Sequence, residues 1–181
     1  ALGLGTLGYH TYLQDNMIPF ESFEAHQWNK EVFKGIRREA DKATKMLAKL
    51  KGEPEWCKGY GVRNTHLLAI APNTSSALVC GSVSQGIEPV YKNAFVQGSS
   101  GGEINRINPS LIKLLTAKGM YTPEVIQSVI DDGGSVRGLD FLSDLEKDVF
   151  KTFFEIDQRV IVRKASARQR WICQAQSLNL A

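Results

Sequence analysis

The strongest constraint on the fold of this chain is one long amphipathic stretch. From Glu21 to Leu50, Phe23, Trp28, Val32, Ile36, Ala43, Leu47 and Leu50 recur at helical spacing among charged residues. That period describes a helix with one apolar face. Gly52 stops it and Pro54 lies just beyond, the usual punctuation of a helix C-terminus. Such a helix must bury its apolar face against other elements. The chain has 181 residues, 43% hydrophobic and 23% charged, enough for one globular domain with a real core.

Several function classes drop out early. No apolar run reaches the length of a membrane span, and no secretory signal pattern opens the chain. A net charge of +3 is too mild to argue for a nucleic-acid partner. Cys57, Cys80 and Cys173 are odd in number and lack Cys-x-x-Cys spacing, which speaks against a disulfide framework or a zinc site. Reduced thiols in a cytoplasmic protein are the plain reading. His10, His26 and His66 lie far apart and form no metal-ligand pattern. The chain begins at Ala1 with an apolar, glycine-containing stretch and stops at the apolar run Ser177-Leu178-Asn179-Leu180-Ala181. Neither end reads as a frayed polar terminus, so the expectation is a piece of a longer protein, residues 1–181 forming a single domain fragment.

The remaining elements follow from local signals. Residues 1–16 read as a strand or turn leading into a short helix. Leu67-Leu68-Ala69-Ile70-Ala71 reads as a buried strand closed by Pro72. A short helix is expected to follow, starting at Ser75 or Ser76 and reaching Cys80. Val90 to Gln97 reads as a strand and Gly98 to Gly102 as a flexible turn. Asn108-Pro109 and Thr122-Pro123-Glu124 each open a helix. These close at Gly119 and at Gly133-Gly134. Ser143-Asp144-Leu145-Glu146 fits a capping box and begins a helical stretch toward Ile172, broken near Glu155–Gln158. Ala175 to Ala181 looks like a strand.

The segment Pro72, Asn73, Thr74, Ser75 and Ser76 is the candidate binding site. A buried strand ends there and delivers three hydroxyls and several free backbone N–H groups. Unsatisfied donors at the start of a helix make a natural anion site. No lysine sits in the loop, so the Walker pattern is missing. That favours a site which holds a phosphate without doing chemistry on it. Taken alone this signal is weak, since Ser and Thr cap helices in most proteins and capping is the better account of these residues at this point.

The surrounding residues resemble the large subunit of class I ribonucleotide reductases. Ala69-Ile70-Ala71-Pro72-Asn73-Thr74-Ser75-Ser76, followed by Gly86-Ile87-Glu88-Pro89, is similar to that family's substrate loop and the Ile-Glu-Pro segment after it. Leu2-Gly3-Leu4-Gly5 looks like the family's Leu-Gly-x-Gly segment. Arg63-Asn64 and Asn108-Pro109 fall in the expected order. The late segment from Arg168 through Trp171, Ile172, Gln174, Gln176 and Ser177 to Leu180 is similar to the family's Arg-Gln-x-aromatic-Ile-x-Gln-x-Gln-Ser run.

The resemblance spans essentially the whole chain. It implies an α/β fold, the helix-rich second half of a ten-stranded α/β barrel. It implies a loop, Pro72–Ser76, that binds the diphosphate of a ribonucleoside diphosphate on its way to the deoxyribonucleotide. Further implied are the rest of the large subunit, its homodimer partner, a small radical-generating subunit that contains metal, and thioredoxin or glutaredoxin as reductant. Effectors of the ATP and dATP type would bind elsewhere. No cofactor is expected in this segment, nor a membrane or nucleic-acid partner. The family's radical cysteine would precede Ala1, its tyrosine relay and mobile cysteine tail would follow Ala181, and none of the three cysteines here matches a redox position. The chain alone is therefore expected to be inactive, and its cysteines structural.

Other features carry plainer expectations. Glu88 is expected to fix a loop by accepting backbone hydrogen bonds. Tyr9, Tyr12 and Trp171 read as core packing. Arg159, Arg163, Lys164, Arg168 and Arg170 read as a solvated or salt-bridged helix face. A non-catalytic module for some phosphorylated ligand, or an inert structural fragment, stays open beside the reductase reading.

Overall fold

A computed structural model describes residues 1–99 and 102–181. Helix α1 spans Tyr9–Asp15 and α2 spans Phe23–Lys51. Helix α2 begins two residues later than its apolar period suggests, because the Ser22 hydroxyl accepts the Ala25 N–H at 3.0 Å and so defines the first turn. It ends at Gly52, whose φ of 75° suits glycine. Its buried face, which includes Ala25, Phe33 and Ala48, packs along α7 (Gln158–Gln169).

The expected strand at 67–71 is real in direction but short in pairing. It is the middle of three extended parallel segments. On one side Leu4 N–H donates to Leu67 C=O at 2.8 Å and Ala69 N–H to Leu4 C=O at 3.1 Å. On the other, Ile70 N–H donates to Ala175 C=O at 3.1 Å and Ser177 N–H to Ile70 C=O at 3.0 Å. The expected strand at 175–181 reduces to the Gln176 bridge. Each neighbour meets the central segment over only a few residues, so no continuous ladder forms. Close approach requires two glycines. A Cβ on Gly5 would lie 2.7 Å from the Ala69 carbonyl oxygen, and one on Gly86, at φ 49°, would lie 2.8 Å from that of Ala71.

The regular sheet among the described residues is an antiparallel hairpin, β1 (Ala94–Ser99) with β2 (Gly102–Ile107), registered Ala94 opposite Ile107. β1 starts four residues later than its apolar run suggests. Val90 N–H is instead given to His10 Nδ1 at 2.9 Å, and Asn93 N–H to Gly134 C=O at 3.0 Å. Gly98, Ser99 and Gly102 lie in strands rather than in a turn, and the centre of that expected turn, positions 100 and 101, lies outside the described residues. β2 had no expectation behind it.

Helices α4 (Pro109–Ala117) and α5 (Pro123–Asp131) follow their start signals, while α3 (Thr74–Val79) begins before its expected start. Asn108 Oδ1 accepts the Ser110 N–H at 3.1 Å, and Thr122 Oγ1 the Val125 N–H at 3.4 Å. The capping box at Ser143 and Glu146 is formed, but α6 (Asp144–Val149) is brief. The interruption before α7 covers 150–157, wider than expected. There Phe150, Phe153 and Ile156 all turn inward, and Phe153 N–H donates to Val90 C=O at 2.8 Å. Burial of three large apolar residues outweighs continuation of the helix, at roughly 1.5–3 kcal/mol each.

Three apolar clusters result. One joins α4, α5, α6 and the hairpin base around Leu111, Leu115 and Phe150. A second joins α1 to α7 around Leu13, Phe20 and Ile161. The third sets Phe33 of α2 against Leu68 and Ile70 of the central parallel segment and against Ile172 beyond α7. Among the described residues no helix is long and apolar enough to cross a membrane.

His10 gives this core an acid limit. It is fully enclosed, and burial pushes its imidazole down to about 3. Because Val90 N–H donates to Nδ1, the neutral ring carries its proton on Nε2. Between pH 6.5 and 3 the unfolded chain binds a proton that the fold refuses, so stability falls as pH falls, by up to about 1.4 kcal/mol per unit. Urea unfolding at pH 4 to 7 should show a shallower acid loss in His10→Gln; an unchanged slope would remove His10 as its source.

Candidate functional site

The candidate loop leaves the central parallel segment at Ile70 and turns at Pro72, which has no N–H and cannot prolong pairing. Asn73 follows in the left-handed region, at φ 56°, with its Nδ2 donating to the Thr6 carbonyl at 3.2 Å. Asparagine tolerates this conformation better than most residues. The turn is thereby tied back to the segment that precedes α1.

Helix α3 starts at Thr74, one residue before the earlier of the two positions expected. The first bond of the helical pattern runs from Ala77 N–H to Asn73 C=O at 2.9 Å. The N–H groups of Thr74, Ser75 and Ser76 precede it and belong to the first turn, where no intrahelical acceptor exists. Asn73 supplies no side-chain cap. Ala77 is buried and anchors the turn, while Pro72, Thr74, Ser75 and Ser76 are exposed and Asn73 is half-buried. The alternative use of the serines as helix caps is not what the geometry shows, since both lie inside α3. With six residues the helix has only a weak dipole, so the donors this turn offers are its hydroxyl and N–H groups. Thr74 differs from the serines: its hydroxyl donates to Gln85 Oε1 at 3.0 Å.

Glu88 stands away from this loop chemically. It is 4% exposed, and its carboxylate accepts Asn179 N–H at 2.9 Å, Asn179 Nδ2 at 2.9 Å and the Tyr91 hydroxyl at 3.3 Å. It ties the C-terminal segment to the turn after α3. Burial, and then the Glu88 charge, raises the Tyr91 phenol above its ordinary range.

The cysteines are dispersed. Cys57 is buried in the 3-10 turn Glu55–Cys57, and Cys80 is exposed at the end of α3. Cys173 lies beyond the end of α7 at Gln169. Its sulfur accepts Leu67 N–H at 3.0 Å and Leu68 N–H at 3.2 Å. Tyr9 is buried as expected, with its hydroxyl donating to Ala25 C=O at 2.7 Å, whereas Tyr12 is 42% exposed and stacks edge-on with Trp28.

The expected solvated face of α7 is wrong at two positions. Lys164 and Arg168 are each 1% exposed. Neither has a carboxylate partner among the described residues. Lys164 Nζ reaches the Tyr9 hydroxyl at 3.3 Å and sits 4.9 Å above the Phe20 ring. Arg168 donates to Gln176 Oε1 at 2.6 Å and to Asn29 Oδ1 at 3.0 Å. Burial, and secondarily the charge of Arg168, pushes Lys164 down to about 7. Burial brings Arg168 down to about 10. Spacing held the signal: both share a helix face with buried Ile161, at three and seven residues.

The sequence matches the family described as the ribonucleotide reductase barrel domain, over residues 1–59 and 55–181. It is 47% identical over 180 residues to a putative ribonucleoside-diphosphate reductase large subunit of Frog virus 3, covering 99% of this chain and 32% of that protein. It is 37% identical over 184 residues to the large subunit of Invertebrate iridescent virus 6, covering 99% of this chain and 19% of that one. The fold superimposes on the Actinobacillus ureae class Id ribonucleotide reductase alpha subunit with a TM-score of 0.90 at 47% identity, over 99% of this chain and 33% of that chain. The chain thus spans a third or less of the length of these relatives.

Proposed function

Because this chain belongs to the ribonucleotide reductase barrel-domain family, we propose that it is part of a class I ribonucleoside-diphosphate reductase large subunit whose Pro72–Ser76 loop holds the substrate diphosphate. The carrying observation is the exposed first turn of α3. Three N–H groups lie ahead of the first helical bond, and the Ser75 and Ser76 side chains are exposed on the same turn. Charge-assisted hydrogen bonds to phosphate oxygens are the strong kind. The absence of a loop lysine fits a grip remote from the reacting carbon.

The segment's role in reducing ribonucleoside diphosphates to deoxyribonucleoside diphosphates is to bind and orient. Its 181 residues act as one unit of the barrel. The radical and redox thiols come from outside it: Cys57 is enclosed, Cys80 ends α3, and Cys173 is engaged with the backbone of the central segment. The metal centre is assigned to the small subunit, as the resemblance to class I reductases implies. The other partners are the rest of the large subunit, its dimer mate and a thioredoxin-type reductant, in the cytoplasm.

Calorimetric titration of this chain tests the reading. Cytidine diphosphate should bind and inorganic pyrophosphate should compete, while cytidine should bind far more weakly. Equal affinity for cytidine and its diphosphate, or no binding, would remove the loop from substrate recognition. With the small subunit and a reductant added, the chain should produce no deoxycytidine diphosphate; turnover would sink the view that the essential thiols lie elsewhere.

A further inference from the structure

The residues around the loop suggest how it keeps its shape before a ligand arrives. Ser84, 4% exposed, is bolted to the start of α1: its hydroxyl accepts His10 N–H at 3.0 Å and Thr11 N–H at 3.1 Å. Its own N–H donates to Thr11 Oγ1 at 2.8 Å, and its carbonyl accepts Gly8 N–H at 2.8 Å. Two residues on, Gly86 lies against the Ala71 and Pro72 carbonyls so closely that a Cβ would meet Ala71 O at 2.8 Å. Gln85 therefore stands between two residues fixed to different parts of the framework. Its side chain emerges beside the loop and accepts the Thr74 hydroxyl at 3.0 Å.

Resting on the diphosphate reading, we propose that Gln85 is a positioning residue for the loop, acting through Thr74. The Thr74 hydroxyl has one proton. While it is given to Gln85 Oε1, it is not given to a phosphate. Donation to the ligand then falls to Ser75, Ser76 and the first-turn N–H groups. The bond between Thr74 and Gln85 fixes the side chain that opens α3, and with it the direction in which those donors point. The ordering cost of the loop is met before binding, which is how preorganised sites gain affinity. The gain reaches the ligand only through Thr74, so it should vanish when Thr74 has no hydroxyl.

A double-mutant cycle on the 181-residue chain, with cytidine diphosphate as the calorimetric probe, tests this. Gln85→Met keeps length and removes the acceptor. It should weaken binding about three- to tenfold, the worth of one neutral hydrogen bond, and leave the urea unfolding midpoint unchanged. In a Thr74→Val background the same substitution should have no further effect on affinity. An equal loss in that background, or no loss with Thr74 present, overturns the positioning role. Ser75→Ala with Ser76→Ala separates the two ideas. If that pair weakens binding and Gln85→Met does not, the diphosphate site stands and Gln85 falls. If neither changes affinity, or the unaltered chain does not bind, both fall.

Discussion

Replacing Ser75 and Ser76 together with alanine is expected to weaken cytidine diphosphate binding by at most about 3–6 kcal/mol, from two lost hydrogen bonds to a charged group. That ceiling corresponds to roughly a hundredfold to ten-thousandfold in dissociation constant. Both side chains are exposed and neither caps the helix, so the fold should not suffer. Alanine is also the better helix former, and the unfolding free energy should stay within about 0.5 kcal/mol. A binding loss at constant stability isolates the hydroxyls as ligand contacts. The same loss should appear as a raised KM once the segment is assembled into a reductase. An unchanged dissociation constant would leave these serines as helix surface and nothing more.

Lys164→Met is the second large effect, and it acts on stability. Lys164 is enclosed by Tyr9 and Phe20, with the charge of Arg168 acting on it and no carboxylate facing it among the described residues. Its amine is held down to about 7, against an ordinary 10.5. Between those values the unfolded chain carries a proton that the fold has released. Stability therefore rises with pH across about 7 to 10.5, by up to about 1.4 kcal/mol per unit and about 5 kcal/mol in all. Loss of the bond to Tyr9 offsets roughly 1 kcal/mol of any gain from removing the charge. Methionine of similar length should then stabilise the chain at pH 7 by about 1–4 kcal/mol, in the way that apolar replacement of buried charge often does. Urea unfolding at pH 7, 8, 9 and 10 should show a rising midpoint in the unaltered chain and a nearly flat one in the variant. A variant that is less stable at pH 7, with the slope retained, would mean that Lys164 is charged and satisfied.

The sequence carried those features whose physical cause is local. The 3.6-residue period of α2, the stop at Gly52, the Asn108 and Thr122 starts and the Ser143 capping box all depend on neighbours within a few positions, and all are formed. The order of short motifs also carried the family, which similarity over 99% of the chain supports. That family places the chain in the α/β barrel of the reductases, as a helix-rich part of it.

Tertiary structure alone decided what depends on distant partners. The apolar run at 67–71 became a central parallel segment only where Leu4 and Gln176 reach it, and no local signal gives that reach. Val90 left the strand because His10 accepts its N–H across eighty positions. The helix from Ser143 broke early because the core took Phe150, Phe153 and Ile156. Charge on α7 read as surface until α1 and α2 closed over Lys164 and Arg168. At the candidate site the residues Pro72–Ser76 were legible as a donor-rich turn. That Thr74 gives its proton to Gln85, eleven residues away, was not, because sequence fixes which groups can donate while packing fixes which of them remain free.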